Sequence, residues 1–181
     1  MPNGLVLAGG RSTRMGTDKG LMSYHGKPQR EHLFDLLKEV CETVYTSCRK
    51  DQDVAEINNP LIDLFEIPGP MNGILSAFGH APDTSWLIVA VDMPYVTRQA
   101  LELLLTQRDQ KKVATCFYNP ELNDCEPLLT LWEPIAYPLL QEFVKEGNLS
   151  PQKFLRTHDA NVIHIPDANL LKNFNSPADL I

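Results

Sequence analysis

Trp86-Leu87-Ile88-Val89-Ala90-Val91 is the most continuous apolar run in the chain, and it stops at Asp92-Met93-Pro94. A run that is apolar at every position, rather than at alternate ones, suits a central strand covered on both faces. Asn3 to Ala8 (NGLVLA) ends in Gly9-Gly10 and reads as a second buried strand entering a loop. Outward from these two, Leu33, Leu36, Leu37 and Val40 come after Pro28 at the spacing of one helical stripe. Thr43 to Cys48 is β-branched and aromatic, and Leu61 to Ile67 reads as a third strand stopped by Pro68-Gly69-Pro70. Met71 to His80 predicts a helix with Ile74, Leu75 and Phe78 inward, and Thr97 is placed to cap a helix running through Leu105. Lys112 to Tyr118 and Pro127 to Trp132 read as strands. Glu133 to Glu146 reads as a helix closed by Gly147, and Val162 to Ile165 as a last strand.

Strands alternating with helices predict an α/β fold: three layers around a mostly parallel central sheet, in a single domain over residues 1–181. Neither repeats nor a linker-like stretch interrupt the pattern. Ligands of such sheets bind at the carboxyl ends of the strands, where strand order reverses. The loop after Ala8 and the carboxylate of Asp92 are the two strand ends that carry chemistry.

Hydrophobic residues make up 43% of the 181 and charged residues 22%, which excludes a disordered chain. No apolar run reaches the roughly 20 residues that span a bilayer. Met1-Pro2-Asn3-Gly4 lacks the start of a signal peptide. The expectation is a cytoplasmic protein with no membrane partner. A net charge of −7 argues against nucleic acid, which needs a basic footprint. Residues 1–50 nevertheless hold eight Lys/Arg against five acids, a local +3, while the other 131 hold eight against eighteen, or −10. That distribution suits a small anionic ligand, although simple surface variation would produce it too. Cys41, Cys48, Cys116 and Cys125 show no zinc spacing and are expected to be structural.

The segment Leu7-Ala8-Gly9-Gly10-Arg11-Ser12-Thr13-Arg14-Met15-Gly16-Thr17-Asp18-Lys19 comes at the end of the first strand. Its glycines permit close approach of backbone to a ligand, its N–H groups can line an anion-binding concavity, and Arg14 and Lys19 add charge. The spacing fits neither a P-loop, which needs G-x-x-x-x-G-K-[ST], nor the dinucleotide G-x-G-x-x-G. A solvated glycine-rich turn is the plainer alternative. Asp92, at the end of a buried strand, can bind Mg²⁺ through a hard oxygen donor or cap the next helix. Met93-Pro94 moves that helix start on toward Thr97, which favours the metal.

Leu7 to Lys19 resembles the L-A-G-G-x-S-x-R-M-G-x-D-K signature of the molybdenum cofactor guanylyltransferase (MobA) family, among the nucleotide-diphospho-sugar transferase-like nucleotidyltransferases. Further motifs agree in order: Gly69-Pro70-Met71-Asn72-Gly73-Ile74 with G-P-L-x-G-I, Asp92-Met93-Pro94 with D-M-P, and Glu126-Pro127-Leu128 with [EQ]-P-L. Asn173-Phe174-Asn175-Ser176-Pro177 with Asp179-Leu180 is similar to N-x-N-T-P-x-D-L. The matches span about 170 residues. The resemblance implies a Rossmann-like fold and transfer of GMP from GTP to the phosphate of molybdopterin, with release of pyrophosphate. It implies that Leu7, Ala8, Gly9, Gly10, Ser12, Gly16, Lys19, Asp63 and Gly69 hold the nucleotide, with Glu66 an alternative to Asp63. Lys19 and Arg14 would neutralise the leaving pyrophosphate, Asp92 would hold Mg²⁺, and Asn173 and Asn175 would contact the acceptor. The same resemblance implies partner proteins that deliver molybdopterin or receive the product.

Two departures touch the acceptor side: Ser176 keeps a hydroxyl in place of Thr, and Asn72 adds a polar group expected beside the cleft. A phosphate monoester with a second pKa of about 6 attacks without a general base, and none of the five histidines stands out as one. A cytidylyl- or sugar-1-phosphate nucleotidyltransferase, or a non-catalytic nucleotide binder, is the competing reading.

Overall fold

The structure is a computed structural model and describes residues 1–8, 22–23 and 26–173. All of β4 (Trp86–Ala90) is buried, with β1 (Asn3–Leu7) parallel to it on one side. β2 (Val44–Cys48) and β3 (Pro60–Ile62) continue the sheet in parallel beyond β1. On the other side lies β6 (Asp124–Trp132), antiparallel both to β4 and to β5 (Ala114–Asn119). β7 (Asn161–Ile163) closes the edge parallel to β5, giving the order β3-β2-β1-β4-β6-β5-β7. Both the continuous apolar run and the mostly parallel sheet are as predicted.

Helices cover the two faces. α1 (Gln29–Lys38) links β1 to β2 and packs with α3 (Arg98–Thr106), while α2 (Pro70–His80) links β3 to β4 and packs with α4 (Ala136–Lys145). Right-handed crossovers on either side of an order reversal put α1 and α2 on opposite faces. Thr97 caps α3 as expected, its side chain accepting from the Ala100 N–H. Among the described residues no helix is long and apolar enough to cross a membrane. The four cysteines are free and buried, and burial pushes the Cys41 thiol up to about 12, so it stays unreactive.

Three elements differ from the sequence reading. The run Leu61 to Ile67 pairs only as far as Ile62, because side chains of α2 capture the backbone from Leu64 onward. Ser76 Oγ accepts from the Leu64 N–H, Asn72 Oδ1 from the Phe65 N–H, and Asn72 Nδ2 donates to the carbonyls of Phe65 and Ile67. The helix expected over 133–146 begins at Ala136, since Glu133 is held by an ion pair. A further helix, α5 (Pro151–Thr157), starts after Ser150, whose side chain caps it by accepting from the Lys153 N–H. The Ser-Pro pair at its start is the local signal for it.

At the amino end of β4, Arg108 pairs with the buried carboxylate of Glu133 at 2.6 and 2.7 Å, and both hydrogen-bond Ser85. Removing the cation leaves a buried charge uncompensated, at a cost of about 3 kcal/mol. Arg108→Ala therefore lowers Tm by roughly 6–12 °C in a scanning calorimeter, because about 1 kcal/mol moves Tm by roughly 2–4 °C at this size. Turnover at low temperature is unchanged, since this pair sits at the opposite end of β4 from Asp92.

Candidate active site

Parallel pairing brings the carboxyl ends of β1, β2, β3 and β4 to one edge of the sheet. There Leu7 lies level with Ser47 on one side and Ala90 on the other. The chain order reverses across β1, with β2 to one side and β4 to the other, so the switch-point crevice lies between β1 and β4. Ala8 is buried at the mouth of that crevice, and the Val91 N–H donates to the Leu7 carbonyl at 3.2 Å. Asp92 sits in the turn after β4, ahead of the Thr97 cap of α3. Gln29, fully buried at the start of α1, donates through Nε2 to the Met93 carbonyl at 3.4 Å, tying that turn to α1.

Asp63 stands one residue beyond β3, its N–H donating to the Cys48 carbonyl. Its Oδ1 accepts from Ser47 Oγ at 3.2 Å. Burial raises the Asp63 pKa, while the Ser47 hydrogen bond and the charge of Arg49 pull it back down. Glu66 differs in kind: its side chain is 90% exposed and forms a loose ion pair, at 3.7 Å, with Lys50. Of the two acids that the sequence left open, Asp63 is the one built into the sheet edge.

Gly73 explains how α2 comes so close. A Cβ there would stand 2.5 Å from Leu7 Cδ2 and 2.9 Å from Ser47 Oγ. Gly69, at φ +80°, turns the chain into α2 with Pro70 in its first turn. Gly73→Ala is expected to push Ser47 off Asp63, raising KM for the nucleotide about tenfold in steady-state assays. Overpacking of this kind also costs about 1–3 kcal/mol of stability.

The antiparallel β5–β6 hairpin turns at the same edge, placing Asn119 and Glu126 there. Neither residue was assigned a role from the sequence, and nor were Ser47 or Gln29. Ser47, Gln29 and Asn119 signal only as polar residues at a strand end or helix start, and Glu126 only as the first residue of the [EQ]-P-L match. Asn72, expected beside the cleft, is instead buried and engaged with Phe65, Ile67 and Ser76. It fixes the segment between Asp63 and Gly69, so its departure from the family pattern bears on loop shape and not on the acceptor. Asn173 comes just after a short 3-10 helix (Ala168–Leu171), and its Oδ1 is buried without a hydrogen-bond partner. Gly9, Gly10, Ser12, Arg14, Gly16, Lys19 and Asn175 lie outside the described residues.

A family model, the MobA-like NTP transferase domain, matches residues 4–162. The chain belongs to the MobA-like NTP transferase family. A molybdenum cofactor biosynthesis bifunctional protein of Synechocystis is 39% identical over 97% of this chain and 52% of its own length, so the chain spans about half of that relative. A molybdenum cofactor guanylyltransferase of Pseudomonas fluorescens is 30% identical over 96% of this chain and 88% of its own. Among solved structures, molybdopterin-guanine dinucleotide biosynthesis protein A of Archaeoglobus fulgidus superposes with a TM-score of 0.81. It has 23% identity and covers 98% of this chain and 94% of that one, a likeness of fold. In this MobA-like chain Leu7, Ala8, Asp63 and Asp92 lie at one edge of the sheet, with Gly69 leading into α2.

Proposed function

We propose that this chain transfers GMP from GTP to the terminal phosphate of molybdopterin and releases pyrophosphate. The observation that supports the reading is the position of Asp92 in the turn after β4, next to the end of β1 that leads into the Gly9–Lys19 motif. An oxygen of the acceptor phosphate attacks the α-phosphorus of GTP. The bond from that phosphorus to the bridging oxygen breaks, and pyrophosphate leaves with the electron pair. Lys19 and Arg14 place positive charge against the leaving group. The acceptor is already deprotonated at neutral pH, so no side chain has to remove a proton.

Mg²⁺ belongs to the same proposal. The described residues hold no group of three or more His, Cys, Asp or Glu able to take an ion alone. Asp92 offers hard oxygen. A sparse, all-oxygen donor set fits Mg²⁺, which keeps water and substrate phosphates in its other positions. When bound, the ion would withdraw charge from the phosphate oxygens. Asp63 would accept from the N1–H and 2-amino groups of guanine. Gly9, Gly10, Ser12 and Gly16 would cradle the phosphates, and Asn173 and Asn175 would contact the pterin side. Protein partners that hand molybdopterin to this chain or take its product are part of the same proposal.

The test is pyrophosphate release by the purified chain with Mg²⁺ and molybdopterin, comparing GTP, CTP and ATP. Release with GTP that disappears without molybdopterin supports the reading. Preference for CTP, or tight GTP binding without release, assigns another nucleotide or another acceptor.

A further inference from the structure

Glu126 is a fully buried carboxylate that the reaction above does not use. Asn119 Nδ2 donates to its Oε2 at 2.8 Å and the Leu128 N–H to its Oε1 at 2.9 Å. Among the described residues no lysine, arginine or histidine pairs with it. Burying a carboxylate without a counter-charge is costly. The register shows what Glu126 faces. Val89 of β4 is level with Leu129 of β6, and the strands run in opposite directions. The ladder ends at that pair, and the chain beyond it carries Asp92 after β4 and Glu126 in β6 to the same edge of the sheet. The charge of Asp92 adds to burial in raising the Glu126 pKa, which agrees with that placement.

We propose that Glu126 is a positioning residue for the divalent cation of this site: a second negative charge, fixed by Asn119 and Leu128 behind Asp92, that sets how tightly the cation is held. Residues one layer out from a metal ligand orient it and tune its charge. The inference rests on Asp92 as the cation's protein ligand. It goes further, because it assigns the affinity for the cation partly to a residue that donates no direct bond.

A charge role and a structural role predict different signs. A buried anion beside a triphosphate site attracts the cation and repels the nucleotide. Glu126→Gln keeps size and removes charge. It is expected to weaken Mn²⁺ binding to the protein–GTP complex about tenfold, read from the free-Mn²⁺ signal in electron paramagnetic resonance. In EDTA, the same variant should bind GTP about two- to threefold more tightly by calorimetry. Glu126→Asp retains the charge and should keep Mn²⁺ affinity within about threefold of the parent. If Glu126→Gln weakens both ligands together, or Glu126→Asp behaves like it, the residue merely supports the hairpin and the proposal falls. Asp92→Asn is measured alongside. Loss of Mn²⁺ binding there but not in Glu126→Gln overturns the role of Glu126 alone. If neither variant changes Mn²⁺ binding, the cation reading of Asp92 falls with it.

Discussion

Asp92→Asn lowers kcat for GMP transfer by about a thousandfold, and the variant remains folded. The substitution keeps the shape of the side chain in the turn after β4 and removes only its charge. In the proposed mechanism, what is lost is the anchor for a cation whose stabilisation of transition-state charge is worth several kcal/mol, and about 4 kcal/mol is a factor of a thousand in rate. Stability moves differently. Burial raises the pKa of Glu126 and the charge of Asp92 adds to it, so the two carboxylates repel one another. Removing one charge relieves that repulsion, and Tm is expected to hold or rise. Pyrophosphate release and calorimetry on the same preparation check both halves. A kcat within tenfold of the parent would take Asp92 out of the reaction, and a large fall in Tm would mean that the turn, not the chemistry, had been damaged.

The sheet was legible because β4 is apolar at every position and β1 is from Leu5 onward, a pattern that burial on both faces explains. The site was legible where chemistry and strand end coincide, as at Ala8 and Asp92. It was less so where a residue acts through tertiary neighbours. Ser47 sits in an ordinary β-branched run, and its importance comes from Asp63, sixteen residues on, and from the missing side chain of Gly73. Glu126 reads as one letter of a three-residue motif until the antiparallel turn of β6 sets it against Asp92. The over-long third strand has the same origin. Leu61 to Ile67 is rich in apolar residues and stopped by Pro68-Gly69-Pro70, but side chains of α2 satisfy the backbone from Leu64 to Ile67 and take it out of the sheet. Local pattern reports which face is buried and does not report which neighbour supplies the hydrogen bonds.

Asp63→Asn lowers kcat/KM for GTP about a hundredfold and narrows the preference for GTP over ITP, which lacks the 2-amino group. An ionised carboxylate accepts from both guanine donors, and hydrogen bonds to a charged group are worth about 1.5–3 kcal/mol. An asparagine turns its amide donor toward a donor edge and leaves it unpaired. The same residue gives a pH dependence with a fixed sign. Burial raises its pKa, so the ionised form needed for binding is lost, as pH falls, at a higher pH than for an exposed aspartate near 3.9. KM for GTP therefore climbs on the acid side before ordinary carboxylates titrate. Stability runs the opposite way. A carboxyl whose folded pKa is raised contributes stability that is fully present below the unfolded pKa and lost as pH rises through the folded one. Ser47→Ala removes the hydrogen bond that lowers the Asp63 pKa, so the inflection in KM moves to higher pH while kcat at saturating GTP is kept. An inflection that stays in place in Ser47→Ala would detach Asp63 from the base, and Glu66 would then have to leave Lys50 to read it.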